Sequence, residues 1–287
     1  MSKMTQMMLN PSSRIGFVAL RVHDLTVMRA WYVQMLGLEV LQDSRHQVLL
    51  GLQANHRVLL LLEGGGNISK TPTAGLSAFA LSVPTLPVVL KQVAWLHAQG
   101  VAVSPWFKTG FSRGVRVNDP EGNEVILEYD EGPRLVVGHG YNFTDAAGKP
   151  LPTPHLPKAP RRAPLLPPPS FIGRLVVETP ALMATIDHVQ NTLGFILQQK
   201  TPNWGYLTVG DNTMHFGIEV VKRQLGPRPA DVIGAHYVSV IIPNHSMMNL
   251  LQLNLQTRGW IDFDYDAAND YLMIDGPNHL TLWFSIA

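Results

Sequence analysis

One pattern recurs along the chain at nearly constant spacing, and it restricts the fold more than any single motif. Ile15-Gly16 opens a short alternating run, and the helical pattern after it ends at Leu36-Gly37-Leu38. Ile172-Gly173 opens a second such run, whose helix ends at Leu193-Gly194-Phe195. The separations agree: 172 − 15 = 157 and 194 − 37 = 157. Residues 78–84 (AFALSVP) answer 237–243 (YVSVIIP), and Gly100 answers Gly259, both at an offset of 159. Several matches in one order indicate duplication.

Each half is itself two copies of a smaller unit: a strand, a helix stopped by glycine, then about three strands. In the first copy residues 17–22 read as the strand and Asp24 as the helix N-cap. Leu25, Met28, Tyr32 and Met35 follow at near-helical spacing, and Gly37 supplies the left-handed stop. Residues 47–52 and 57–63 read as strands around a turn at Asn55-His56. The second copy has a strand at 79–83, a helix over about 86–99, Gly100, and a last strand at 124–129. Asp119-Pro120-Glu121-Gly122-Asn123 is a turn, since proline presets φ while glycine and asparagine tolerate positive φ. The expected class is α+β: four βαβββ modules paired into two domains, each a curled mixed sheet forming a cup with helices outside.

The halves meet at a proline-rich stretch. Nine of the twenty residues from Pro150 to Pro169 are proline, with Lys158, Arg161 and Arg162 among them. Proline donates no backbone hydrogen bond, so this stretch reads as an extended connector laid on a surface, with a PxxP recognition segment as the competing reading. The division is therefore 14–132, linker 133–170, and 171–287.

Composition limits the function. A hydrophobic fraction of 46% is ample for packed cores, and a net charge of +1 offers no basic field for nucleic acid or anionic membranes. With no cysteine, disulfides, thiolate nucleophiles and iron–sulfur clusters are excluded. No apolar run reaches the length of a membrane span and no secretory leader is evident, so a cytoplasmic protein is expected. Gly64-Gly65-Gly66 opens no helix and lacks a following lysine, so it reads as a loop. Serine-hydrolase, HExxH and zinc-spaced patterns are absent from the sequence.

The run IGFVALRVHDLTVMRAWYVQMLGLEV resembles the opening module of the glyoxalase/bleomycin-resistance/extradiol-dioxygenase (vicinal oxygen chelate) superfamily, and NDPEGNEVILEY resembles its closing hairpin. The two-domain length, the linker and the segment TMHFGIEV resemble catechol-2,3-dioxygenase-like proteins. The resemblance implies a divalent metal in the cup, held by histidine and glutamate, with positions left for two substrate oxygens. Those ligand positions fall on Phe17, Ala78, Thr109 and Ile126 in the first half, and on Arg174, Tyr237 and Thr281 in the second. Glu128 shares the face of Ile126, two residues on. Arginine is permanently charged and cannot ligate a cation, and phenylalanine, alanine and isoleucine have no lone pair to give.

His215 matches a histidine-bearing strand of the catechol-dioxygenase-like relatives and shares a face with Glu219, whereas alternation turns His236 and His279 away from Tyr237 and Thr281. The expected site is therefore a ligand-binding one, Arg174 flanked by Tyr237 and Thr281 with His215 and Glu219, and it uses no metal and no catalytic residue. Arg174 needs an anion: either a ligand carboxylate or an internal partner, Glu178 or Glu219. Two functions compete. One is a binding protein for a small aromatic or anionic molecule, without cofactor; the other is an extradiol dioxygenase or glyoxalase-type lyase using Fe(II) or another divalent ion. No nucleic-acid or membrane partner is expected, and exposed strand edges are compatible with a homo-oligomer.

Overall fold

In the computed structural model of the protein, residues 7–69, 71–130, 148–210, 216–277 and 280–287 are described. The first module contains β1 (Arg14–Val22), α1 (Leu25–Leu36), β2 (Glu39–Asp43), β3 (Gln47–Leu52) and β4 (Arg57–Gly64). Asp24 caps α1 by accepting from the N–H groups of Thr26 and Val27, each at 3.0 Å. Gly37 ends it at φ 73°, and the helix buries Met28, Tyr32 and Leu36. The second module is β5 (Gly75–Val83), α2 (Leu86–Ala98), β6 (Phe107–Lys108), β7 (Ser112–Asn118) and β8 (Glu124–Asp130). After a short β9 (Lys149–Pro150) and the linker, the third module is β10 (Phe171–Thr179), α3 (Leu182–Asp187), β11 (Ile196–Thr201), β12 (Trp204–Thr208) and β13 (Gly217–Lys222). Its helix loosens into a π-helical turn at His188–Thr192. The fourth is β14 (Gly234–Ile242), α4 (His245–Thr257), β15 (Phe263–Asp266), β16 (Tyr271–Asp275) and β17 (Thr281–Ile286). These are the four modules expected.

Their partners are not those of sequence order. One sheet runs β15-β16-β17-β14-β1-β4-β3-β2, joining the first module to the fourth; the other runs β11-β12-β13-β10-β5-β8-β7-β6-β9, joining the second to the third. The joints are the antiparallel pairs β1–β14 and β5–β10. A division into 14–132 and 171–287 therefore cuts across both sheets. We call them the outer and inner sheet, after the modules that build them.

Two connections carry the chain between sheets, residues 65–74 and 223–233, and they lie side by side through bridges Asn67↔Val232 and Thr73↔Gly226. Arg228 pins them: its guanidinium donates to Thr73 Oγ1 (3.2 Å), the Leu76 carbonyl (3.3 Å) and the Ala235 carbonyl (2.7 Å). Residues 148–170 of the linker form a strap laid on the surface. β9 pairs with β6, Leu166 is buried and donates its N–H to the Gly37 carbonyl, and Asn55 Nδ2 donates to the Pro168 carbonyl at 2.9 Å. Any side chain at Gly37 would strike the Pro164 carbonyl, so this glycine is required by the strap as well as by its φ.

The duplication has one unequal corner. In the first half the buried Tyr32 hydroxyl donates to Asp119 at 2.8 Å, tying α1 to the turn before β8. The positions 157 residues on are Val189 and Gly276. There His188 fills the corner: a Cβ on Gly276 would lie 2.9 Å from its Nε2, and its ring sits 4.3 Å from that of Trp260. His188 is 3% exposed, and among the described residues neither ring nitrogen has a hydrogen-bond partner. Burial pushes its pKa down to about 4.

Candidate functional site

The inner sheet carries Arg174 into its concave face. Gly173 is an extra residue in β10, since Ile172 pairs with Leu81 and Arg174 with Ala80. Arg174 donates to Glu128 at 2.7 Å and to Glu219 at 3.0 Å. Trp204 Nε1 donates to the other Glu219 oxygen at 2.7 Å, and Ser112 Oγ donates to Glu128 at 2.8 Å. Arg174 and Glu219 are each 1% exposed and Glu128 3%. Burial works against the charged guanidinium, but the Glu128 and Glu219 carboxylates outweigh it and hold its pKa above the ordinary arginine value. Burial pushes Glu219 up despite Arg174 and Trp204. Phe111 stacks on Tyr206 at 5.3 Å, and Trp204 is stacked at 6.3 Å from Tyr206, beside the charged group. Ala78, Ala80, Phe107, Ile126 and Val176 fill the remainder. The inner cup is packed, and its guanidinium is paired internally with two carboxylates.

Of the two internal anions considered for Arg174, Glu219 is used. Glu178 instead pairs with Arg223 at the surface, at 2.8 Å. Glu128 adds a second carboxylate with no register slip, because it shares a face with Ile126 two residues away. Thr109, at another ligand position, is buried and hydrogen-bonded to Ser112 at 2.8 Å.

Tyr237 and Thr281 belong to the other sheet, so they do not flank Arg174 as the sequence reading had them. Register places the outer cup's counterparts. In the inner sheet Val176 pairs with Glu219 and Ala80 with Ile126; in the outer sheet Ala19 pairs with Leu61 and Ser239 with Trp283. The closing-strand positions are thus Leu61 and Trp283, and Thr281 stands two residues short of the one assigned to it. Phe17, Tyr237 and Trp283 form an edge-on cluster with centroids 6.0, 6.4 and 5.7 Å apart, and Tyr271 joins at 5.9 Å from Trp283. All four rings are partly exposed. Trp283 Nε1 is buried, with no acceptor among the described residues. Burial, then the Glu63 charge, pushes the Tyr237 hydroxyl up to about 12, so it is a neutral donor.

Beside the rings lies a polar rim that strand alternation concealed. Ala19 pairs with Tyr237 and Leu20 with Ala235, leaving His236 as the extra residue of a bulge. His236 thereby reaches Glu63 at 2.8 Å and Arg21 at 3.2 Å instead of pointing away. A cavity of about 530 Å³ opens here, lined in part by Arg21, His236, Asp262, Asp275 and Thr281. Thr281 Oγ1 donates to Asp275 at 2.6 Å. His215 and His279 lie outside the described residues.

The residues at the ligand positions do not suit a divalent metal. The inner cup offers Ala78, Ile126, Arg174 and Glu219, and the outer cup Phe17, Leu61, Tyr237 and Trp283. The single carboxylate is already bonded to a guanidinium, and the single phenol is held neutral. Among the described residues no group of three or more histidine, aspartate or glutamate side chains could hold a metal ion.

Residues 14–127 match the sequence model of the Glyoxalase/Bleomycin resistance protein/Dioxygenase superfamily. The match falls on the first two of the four modules. A biphenyl-2,3-diol 1,2-dioxygenase from Rhodococcus globerulus is 28% identical over 41% of this chain, which spans 63% of that protein. A catechol-2,3-dioxygenase from Bacillus subtilis is 23% identical over 88% of this chain and 90% of its own. Among solved structures, a candidate dioxygenase from Bacillus subtilis superposes with a TM-score of 0.68 over 98% of this chain and 86% of its own, at 12% identity. Glyoxalase I from Zea mays gives 0.56 over 95% and 92%, at 13% identity. At those identities the likeness is one of fold, and it covers nearly the whole chain. Among the described residues no helix is long and apolar enough to cross a membrane. Arg21 and Glu63 escaped the sequence reading, and His236 was turned the wrong way by it. The signal that could have found them was the match of Ser77 with His236, one residue before the aligned strand cores.

Proposed function

We propose that the protein binds a small aromatic molecule in its outer cup and does so without a catalytic metal. The observation that carries this reading is that the four outer ligand positions hold Phe17, Leu61, Tyr237 and Trp283, three of them partly exposed rings that pack edge to edge. Aromatic faces and edges reward a flat ligand, and the Tyr237 hydroxyl offers a neutral donor. An anionic ligand at Arg174 is not supported, because that charge already has two carboxylate partners.

The test joins two measurements on untagged protein purified without chelators. Metal content by mass spectrometry is expected to be far below one ion per chain. Tryptophan fluorescence is expected to change on titration with catechol or 2-naphthol, to ignore cyclohexanol, and to lose most of its response in Trp283→Phe. The similarity to catechol-2,3-dioxygenase motivates the rival reading. One iron or manganese per chain together with ring cleavage of catechol would replace this proposal with it.

A further inference from the structure

A second ligand site is carried by the strap, remote in sequence from both cups. The strap segment 148–170 contains Lys149, Lys158, Arg161 and Arg162 and no acidic residue; α2, which contributes to the same cavity, contains Lys91 and likewise no acidic residue. In a chain whose net charge is only +1, that is a marked local excess of positive charge. Lys91, Arg161 and Arg162 are exposed, and among the described residues none of them has an ion pair or side-chain hydrogen bond. They converge on one cavity of about 630 Å³, whose other walls include Pro160, Pro164 and Leu165.

Three features make this more than a solvated charged face. The cations come from two separate elements, so the cavity, not the sequence run, brings them together. The backbone beneath the arginines is held in place, since prolines restrict it and Leu166 is buried against Gly37. Leu165, 62% exposed, gives the same cavity an apolar wall with no internal partner for its outer face.

We infer that this cavity binds an organic phosphate. Guanidinium groups match phosphate oxygens bidentately, and three cations balance a dianion better than a carboxylate's single charge. The cavity's size falls in the range of small-molecule sites, roughly 300–1,000 Å³, so it accommodates an organic group as well as the phosphate. Leu165 and the proline rings are placed to cover that group.

The experiment is isothermal titration of the full chain at low ionic strength with phenyl phosphate, inorganic phosphate and benzoate. Wild type is expected to bind phenyl phosphate most tightly, inorganic phosphate more weakly through the shared anion contacts, and benzoate least. Arg161→Gln/Arg162→Gln and, separately, Lys91→Gln are expected to weaken phenyl phosphate by about tenfold or more, with an unchanged melting temperature because these side chains make no described contact. Raising the salt should weaken binding steeply. Equal binding by wild type and variants, benzoate binding as well as phenyl phosphate, or no binding of either phosphate would each overturn the inference. Tighter binding to anionic vesicles or to single-stranded DNA than to phenyl phosphate would also overturn it, by assigning the patch to a macromolecular surface.

Discussion

Acid should destabilise this protein through one histidine, and the size of the effect follows from where His188 sits. The residue is 3% exposed, its ring lies against Trp260, and among the described residues neither nitrogen has a partner, so the neutral form suits the folded state. Burial lowers its pKa from 6.5 to about 4. A depressed folded-state pKa contributes stability at a pH above 6.5, and that stability is lost as the pH falls toward 4, because the unfolded chain takes up the proton first. The full difference of 6.5 − 4 = 2.5 units corresponds to about 3 kcal/mol, and about 2 kcal/mol of it is gone by roughly pH 5. Urea unfolding across this window, run in parallel on His188→Leu, isolates the term, since the carboxylates titrate in both proteins. Glu219, whose folded pKa is raised, contributes with the opposite sign in both. The wild type should lose about 3 kcal/mol more than the variant between pH 7 and 4. Equal losses in the two proteins would refute the reasoning.

Other outcomes follow from the same structure. Arg174→Met leaves Glu128 and Glu219 buried without their cation and should cost about 3–5 kcal/mol in urea unfolding, while adding Glu128→Gln and Glu219→Gln should recover a large part of it. Tyr32→Phe removes the buried hydrogen bond to Asp119 and should cost about 1–3 kcal/mol, measured the same way. Residues 1–132 and 171–287, expressed separately, each hold modules from different sheets. Size-exclusion chromatography should find them aggregated or oligomeric alone and as a 1:1 complex when co-expressed, and two stable monomers would contradict the observed pairing.

Much of the fold was legible because its signals are local. Asp24 and Gly37 mark both ends of α1, and the 157-residue offset identified the duplicated modules. Glu219 as an internal partner for Arg174 was among the readings left open, and Glu128 was placed on the correct face. The pairing of modules was not legible, because alternation along β1 or β5 states which face is buried and says nothing about which strand completes the edge. Phase also slips at bulges. One extra residue at His236 reverses the face that counting assigns, and that single slip hid the Arg21–Glu63–His236 rim.

The order in which modules pair sets a timetable for a chain made from its N-terminus. The inner sheet is complete once Lys222 has left the ribosome, because all its strands lie between Gly75 and that residue. The outer sheet cannot close until β17, which ends at Ile286, has emerged. Through nearly all of synthesis β1 is an open edge with apolar neighbours, the condition under which nascent chains pair wrongly. The inner cup, already packed around Arg174 and its two carboxylates, is then the scaffold onto which the first and last modules assemble, and the aromatic cup is the last part of the molecule to come into existence.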